Sequence, residues 1–92
     1  MEKMEKFKNY LIEKGYSKYT PSGNPSTVYD YTKRVNKISE REKISLNMLA
    51  SNISYYVERY DTNGEEAEYG RKSHNAYINA LKRFKEFIVD EY

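Results

Sequence analysis

One histidine, no cysteine and four isolated glycines leave this 92-residue chain little from which to build a reaction centre. Without thiolates, His74 has no partners for a zinc site, and no His/Asp/Glu cluster has ligand spacing. His74 reads as a polar residue in a helix's first turn. No glycine-rich loop is present to cradle a phosphate. Glu65, Glu66 and Glu68 stand together, but a run of carboxylates is ordinarily a solvated surface. Asp61-Thr62-Asn63-Gly64-Glu65 opens like a calcium loop, yet its twelfth position, where the bidentate glutamate belongs, is Lys72. The chain is therefore expected not to be an enzyme and to need no cofactor or metal. What remains able to engage a ligand is a set of cations and amides. Lys33, Arg34 and Lys37 share one predicted helix face with Asp30. Asn75, Asn79, Lys82 and Arg83 share another with Glu86.

The elements that must position these residues follow from hydrophobic spacing. The last stretch, residues 71–92, carries the longest single periodicity. Tyr77, Leu81, Phe84 and Ile88 recur at intervals of three and four, and Ala80 and Phe87 widen the stripe. Ser73 is the expected cap of this helix. Near the N-terminus, Met4, Phe7, Tyr10 and Leu11 define a first helix, with Gly15 as its stop. Asn24-Pro25 is a good helix start, a cap followed by a residue that lacks the N–H the first turn cannot use. Val28, Tyr31, Val35 and Ile38 then form a buried stripe. Ser45 opens a third helix through Leu46, Leu49, Ile53, Tyr56, Val57 and Tyr60, ended by Asp61-Thr62-Asn63-Gly64. Residues 65–70 read as one helical turn or plain loop. No stretch alternates as a strand does. The expectation is a single all-α domain, 1–92, with helices near 2–14, 25–41, 45–60 and 72–91.

Composition narrows the class further. Eleven tyrosines and three phenylalanines, with no tryptophan, make tyrosine the main source of large rings. Most of these rings are expected at core edges and helix contacts. No apolar run approaches the roughly 18 residues that span a bilayer, and the N-terminus has no apolar signal core. The chain reads as soluble and cytoplasmic. Its net charge of +2 conceals a division. Residues 15–44 hold six Lys/Arg against three Asp/Glu, residues 45–70 hold one against five, and residues 71–92 hold five against three. If the two basic segments meet in space, they form a patch that the net charge hides.

A wider pattern runs through these elements: Phe7-x-x-Tyr10-Leu11, Ser26-Thr27-x-x-x-Tyr31-x-x-x-Val35, a helix opening near Leu46 to Leu49, and Asn79-Ala80-Leu81-Lys82-Arg83-Phe84-x-x-Phe87. Over about residues 4–90 it resembles the N-terminal core-binding domain of phage integrases, the tyrosine recombinases. The resemblance implies a SAM-like bundle of about four helices that grips one face of double-stranded DNA. It places the DNA-facing surface on Lys33, Arg34 and Lys37 of the second helix and on Arg71, Lys72, Ser73, Asn75, Asn79, Lys82 and Arg83 of the last. Lysine and arginine there would neutralise phosphates, and Asn75 and Asn79 would reach base edges. The family's catalytic arginines, histidine and nucleophilic tyrosine have no counterpart in this sequence, so no tyrosine here is expected to be a nucleophile. The loops at 16–24 and 65–68 are longer than the family's connections. The chain is thus either a domain cut from a longer recombinase or a free-standing relative. The alternative is a small phage or mobile-element accessory protein acting through protein–protein contacts, with Tyr16, Tyr19, Tyr29, Tyr55 and Tyr69 as exposed anchors beside the acidic stretch 58–68.

Overall fold

Three phenylalanines and a tyrosine fasten the two ends of the chain to each other. Phe7 meets Phe84 edge-on at 5.1 Å between ring centroids, Phe7 meets Phe87 at 5.4 Å, and Tyr10 meets Phe87 at 5.4 Å. The Tyr10 hydroxyl donates to Asp90 at 2.6 Å. The computed structural model describes residues 3–16, 21–23 and 26–92. Among them it has α1 Lys3–Glu13, α2 Thr27–Glu42, α3 Leu46–Ser51, α4 Ile53–Tyr60, α5 Ala67–Gly70 and α6 Lys72–Glu91, and no strand. The all-α class is as the spacing predicts.

The predicted stripes are the buried ones. Phe7, Leu11, Val28, Val35, Ile38, Leu49, Leu81, Phe84 and Phe87 are fully enclosed, together with the ring of Tyr60. Ile78 is buried too, although the α6 stripe as read from the sequence omits it. Tyr31, Tyr56, Tyr77 and Ile88 pack against this core half-buried. α6 lies antiparallel across α2 and also covers α4, α5 and α1, so the last helix closes the bundle.

Local chemistry explains most helix ends. Gly15 takes φ 97° and ends α1, with Tyr16 N–H donating back to Leu11 and Gly15 N–H to Ile12, both at 3.0 Å. Glycine suits this left-handed position because it has no Cβ to clash. Lys43 does the same for α2 without being glycine, at φ 58°. Its cost is met by Ile44 N–H donating to Ser39 O at 3.1 Å and Ser39 Oγ donating to Ile44 O at 2.5 Å. Ser45 caps α3 as expected, accepting from Met48 N at 3.1 Å.

Three details differ from the sequence reading, and one open alternative is resolved. Asn24 and Pro25 lie outside the described residues, and α2 begins at Thr27 with Ser26 at its cap position making no side-chain cap bond. The helix expected over 45–60 breaks at Asn52 (φ −120°, ψ 29°). There the Asn52 side chain donates to Met48 O at 3.1 Å and competes with the backbone for that carbonyl. Of the two readings of residues 65–70, the helical turn is the one that forms, as α5. Finally, Ser73 does not cap α6. Ser73, His74 and Asn75 all have left-handed backbones, with φ of 55°, 59° and 66°. A cap needs an extended backbone to aim its oxygen at the first N–H groups, so a left-handed serine cannot fill that role.

Gly70 sits where α5 crosses the end of α4, and a Cβ built on it would overlap the Tyr60 carbonyl oxygen. Gly70→Ala should therefore lower stability by about 1–3 kcal/mol. Phe84→Ala, which empties a fully buried site, should cost about 3–5 kcal/mol. Circular dichroism melting checks both, and an unchanged midpoint would contradict the packing described here.

Candidate nucleic-acid interface

The seam between α2 and α6 alternates rings and cations. At one end the Tyr16 ring meets the Tyr31 ring edge-on at 5.5 Å, and Arg83 Nη1 donates to the Tyr16 hydroxyl at 3.5 Å. Farther along α2, Arg34 stacks over the Tyr77 ring at 5.5 Å. Beyond it Arg41 stacks over Tyr69 at 4.2 Å. Tyr69 and Tyr77 touch each other at 4.6 Å, and Lys72 lies over Tyr69 at 5.0 Å. Residue numbers rise along α2 as they fall along its partner, the mark of antiparallel helices. A cation over a tyrosine face is attracted by the ring's negative quadrupole. Rings at the seam therefore hold arginines in place that a bare helix would leave waving in solvent.

Not all the predicted residues share this surface. Lys37 lies between Arg34 and Arg41 on one side of α2, so these three cations form a row rising about 10 Å along the helix. Lys72 adjoins that row through Tyr69, and Arg71 precedes it in the chain. Lys33 is exposed on the outer face of α2, one residue before Arg34. Lys82 points to the opposite flank, where it pairs with Asp61 at 3.5 Å. Arg83 is half-buried at the Tyr16 end, its Nε 2.9 Å from Glu86 in an ion pair whose angle falls short of a hydrogen bond. Ser73, Asn75 and Asn79 are exposed, the first two in the left-handed turn. The ten residues are thus spread over more than one patch.

Several of these cations already have partners. Arg34 pairs with Asp30 at 3.6 Å, while its Nε is buried with no hydrogen-bond partner among the described residues. By contrast, no ion pair engages Lys33, Lys37, Arg71 or Lys72 among the described residues. Sequence reasoning passed over Arg41 and Tyr77 as ligand-facing residues and took Tyr69 for an exposed anchor. Arg34 and Arg41 are one heptad apart on α2, and that spacing is the only sequence signal for the row. The exposed tyrosines are fewer than expected. Tyr29 and Tyr55 are open, Tyr16 and Tyr69 are half-buried against other rings, and Tyr19 lies outside the described residues.

A second cluster closes the end of the seam. The buried Tyr60 hydroxyl donates to Glu42 Oε2 at 2.5 Å, and Arg59 Nε donates to the same oxygen at 3.0 Å. Arg41 donates to the Tyr60 hydroxyl at 3.3 Å and pairs with Glu66 at 3.2 Å. Arg59 also reaches Glu65 and Glu66, at 3.2 and 3.6 Å. Of the acidic stretch, Glu66 is therefore turned inward onto α2 and α4, while Glu58, Glu65 and Glu68 stay exposed. Burial pushes the Glu42 carboxyl up, but the hydrogen bonds from Tyr60 and Arg59 outweigh it and hold the group below its ordinary value. Burial, and then donation to Glu42, raise the Tyr60 hydroxyl, so it stays protonated.

No group of three or more His, Cys, Asp or Glu side chains is placed to hold a metal among the described residues, and no helix there is long and apolar enough to cross a membrane. The fold and this surface define an all-helical bundle with a ring-and-cation seam. Comparison with protein-family models, with curated proteins and with solved structures returned no match for this chain.

Because the folded state depresses the Glu42 pKa, Glu42 contributes stability above its ordinary value of 4.5 that is lost as pH falls below it. Glu42→Gln should lower stability at neutral pH by about 1.5–3 kcal/mol, the range for hydrogen bonds to a charged group. Melting curves from pH 7 to pH 3 should show the two proteins converging in acid. Parallel curves across that range would contradict the assignment.

Proposed function

We propose that this chain is a DNA-binding module that grips the phosphate backbone of double-stranded DNA through the outer side of α2 and the α5–α6 junction. The observation that carries this reading is the row Arg34, Lys37 and Arg41, bordered by Lys72. It assembles cations from both basic segments of the sequence on one side of the molecule. Within that region Lys37, Lys72 and the adjoining Lys33 and Arg71 make no ion pair among the described residues. Free lysines of this kind displace condensed counterions from a duplex. The resemblance to the core-binding domain of tyrosine recombinases supports the same partner and the same two helices. The proposed role is binding without strand transfer. Phosphate contacts dominate it, with modest sequence preference.

The proposal narrows the residue set. Lys33, Lys37, Arg71 and Lys72 are the primary contacts, and Arg34 is a preset one. Lys82 and Arg83, spent on Asp61 and on Glu86 and Tyr16, are secondary. Ser73, Asn75 and Asn79 are reachable only by a duplex that extends past the junction.

A second reading, protein–protein contact, draws on Met48 and Tyr55, which are half or more exposed on α3 and α4. Light scattering over a concentration series separates it from the first if self-association appears.

Fluorescence anisotropy of a labelled mixed-sequence duplex, at low and moderate salt, tests the DNA reading. Affinity should fall steeply with salt. Replacing Lys33, Lys37 and Arg71 with alanine should weaken binding at least tenfold and flatten the salt slope by about 1 per cation, with the melting midpoint unchanged. No binding at low salt would overturn the reading, and unchanged binding by the triple variant would overturn this surface.

A further inference from the structure

Tyr69 and Tyr77 stand eight residues apart in sequence, which along an unbroken helix is a rise of about 12 Å. Their ring centroids are 4.6 Å apart. The left-handed turn of Ser73, His74 and Asn75 is what brings them together. That turn is strained. None of the three residues is glycine, and each sets its Cβ against the following carbonyl. A backbone bond from Asn75 N–H to Arg71 O at 2.9 Å spans it. What offsets the strain is the clasp above it: Tyr69 on Tyr77, Arg41 and Lys72 over Tyr69, and Arg34 over Tyr77. The cations that hold the clasp shut are members of the surface proposed above to meet phosphate.

We infer that residues 73–75 are a spring-loaded joint, held left-handed by the Tyr69–Tyr77 clasp and released when a polyanion draws Arg34 and Lys72 off the rings. On release the three residues return to the right-handed region that their side chains prefer, and α5 swings relative to α6. The element that moves is light. α5 is four residues long and is anchored through Ala67, Gly70 and the Tyr69 edge contact with Tyr60 at 6.0 Å. The ion pairs from Glu66 to Arg41 and Arg59 oppose the movement, which makes the joint two-state rather than loose. For its ligand this inference rests on the DNA-binding reading. For the joint itself it rests on the geometry alone.

Substitutions at His74 distinguish the two backbones by sign. Glycine is favoured over alanine where φ is positive, and alanine over glycine in a right-handed helix. In the otherwise unchanged protein His74→Gly should melt above His74→Ala by about 4–8 °C, the scale for a domain of this size. With the clasp removed by Tyr77→Ala, or by Tyr69→Ala if the first does not fold, the order should reverse. The same order in both backgrounds would show that the clasp does not hold the joint, and alanine above glycine in the intact protein would show that no left-handed joint exists. Anisotropy with the mixed-sequence duplex then tests release. His74→Ala should bind about fivefold tighter than His74→Gly. Equal affinities would overturn release by polyanion while leaving DNA binding intact. Absence of duplex binding in every variant would overturn both DNA binding and release by it, and the melting order would still decide the clasp.

Discussion

A tyrosine used to cover a small core brings two obligations with it, and much of this molecule follows from meeting them. Its hydroxyl must keep a hydrogen bond when the ring is buried, and its outer face is left as a weakly negative surface. The fully enclosed ring of Tyr60 sends its hydroxyl to Glu42, and Glu42 then requires Arg59. Tyr10 sends its hydroxyl to Asp90 and so ties α1 to the end of α6. Tyr16, Tyr69 and Tyr77 each draw an arginine. Packing and charge placement are here one problem. Where Tyr10, Tyr16, Tyr60, Tyr69 and Tyr77 close the core, an ionic group is fixed beside each.

The ionic groups fixed in this way differ in weight. Lys8–Glu5 is an i,i+3 pair with the carboxylate well exposed, and pairs of that kind contribute little. Arg59 and Glu42 keep only 21% and 13% of their side-chain exposure, and they share a buried hydroxyl. Removing one member there would strand the others in a region of reduced solvation. This cluster gives Glu66 a structural role, because it folds back onto both Arg59 and Arg41. Glu42 and Glu66 are engaged within the fold, while Lys33, Lys37, Arg71 and Lys72 face outward without an ion pair among the described residues. A net charge of +2 is thus compatible with a locally basic face.

The fold was legible because helix-spaced apolar residues have few other uses. Phe7 and Leu11, Val28, Val35 and Ile38, and Leu81, Phe84 and Phe87 bury where their spacing places them. Gly15 and Ser45 end and begin helices by chemistry that acts within a single turn. The site was legible only in outline. The two basic helices were visible, but the spacing of Lys82 and Arg83 could not show that Asp61 and Tyr16 would claim them. Arg41 looked like a helix end and Tyr69 like an exposed anchor, because the ring beneath the one and the cation above the other come from distant parts of the chain.

The sequence by itself determined the helical class, the buried stripe of most helices and the two basic segments, since these depend on periodicity and composition within a few turns. Tertiary structure alone decided the left-handed turn at Ser73–Asn75, the antiparallel pairing of α2 with α6, and which cations remain free. The physical reason is separation along the chain. A capping serine or an apolar stripe is specified by residues within one or two turns. The backbone at 73–75 departs from its local preference only because Tyr69, Tyr77, Arg34 and Arg41 meet across the fold and together offset its strain.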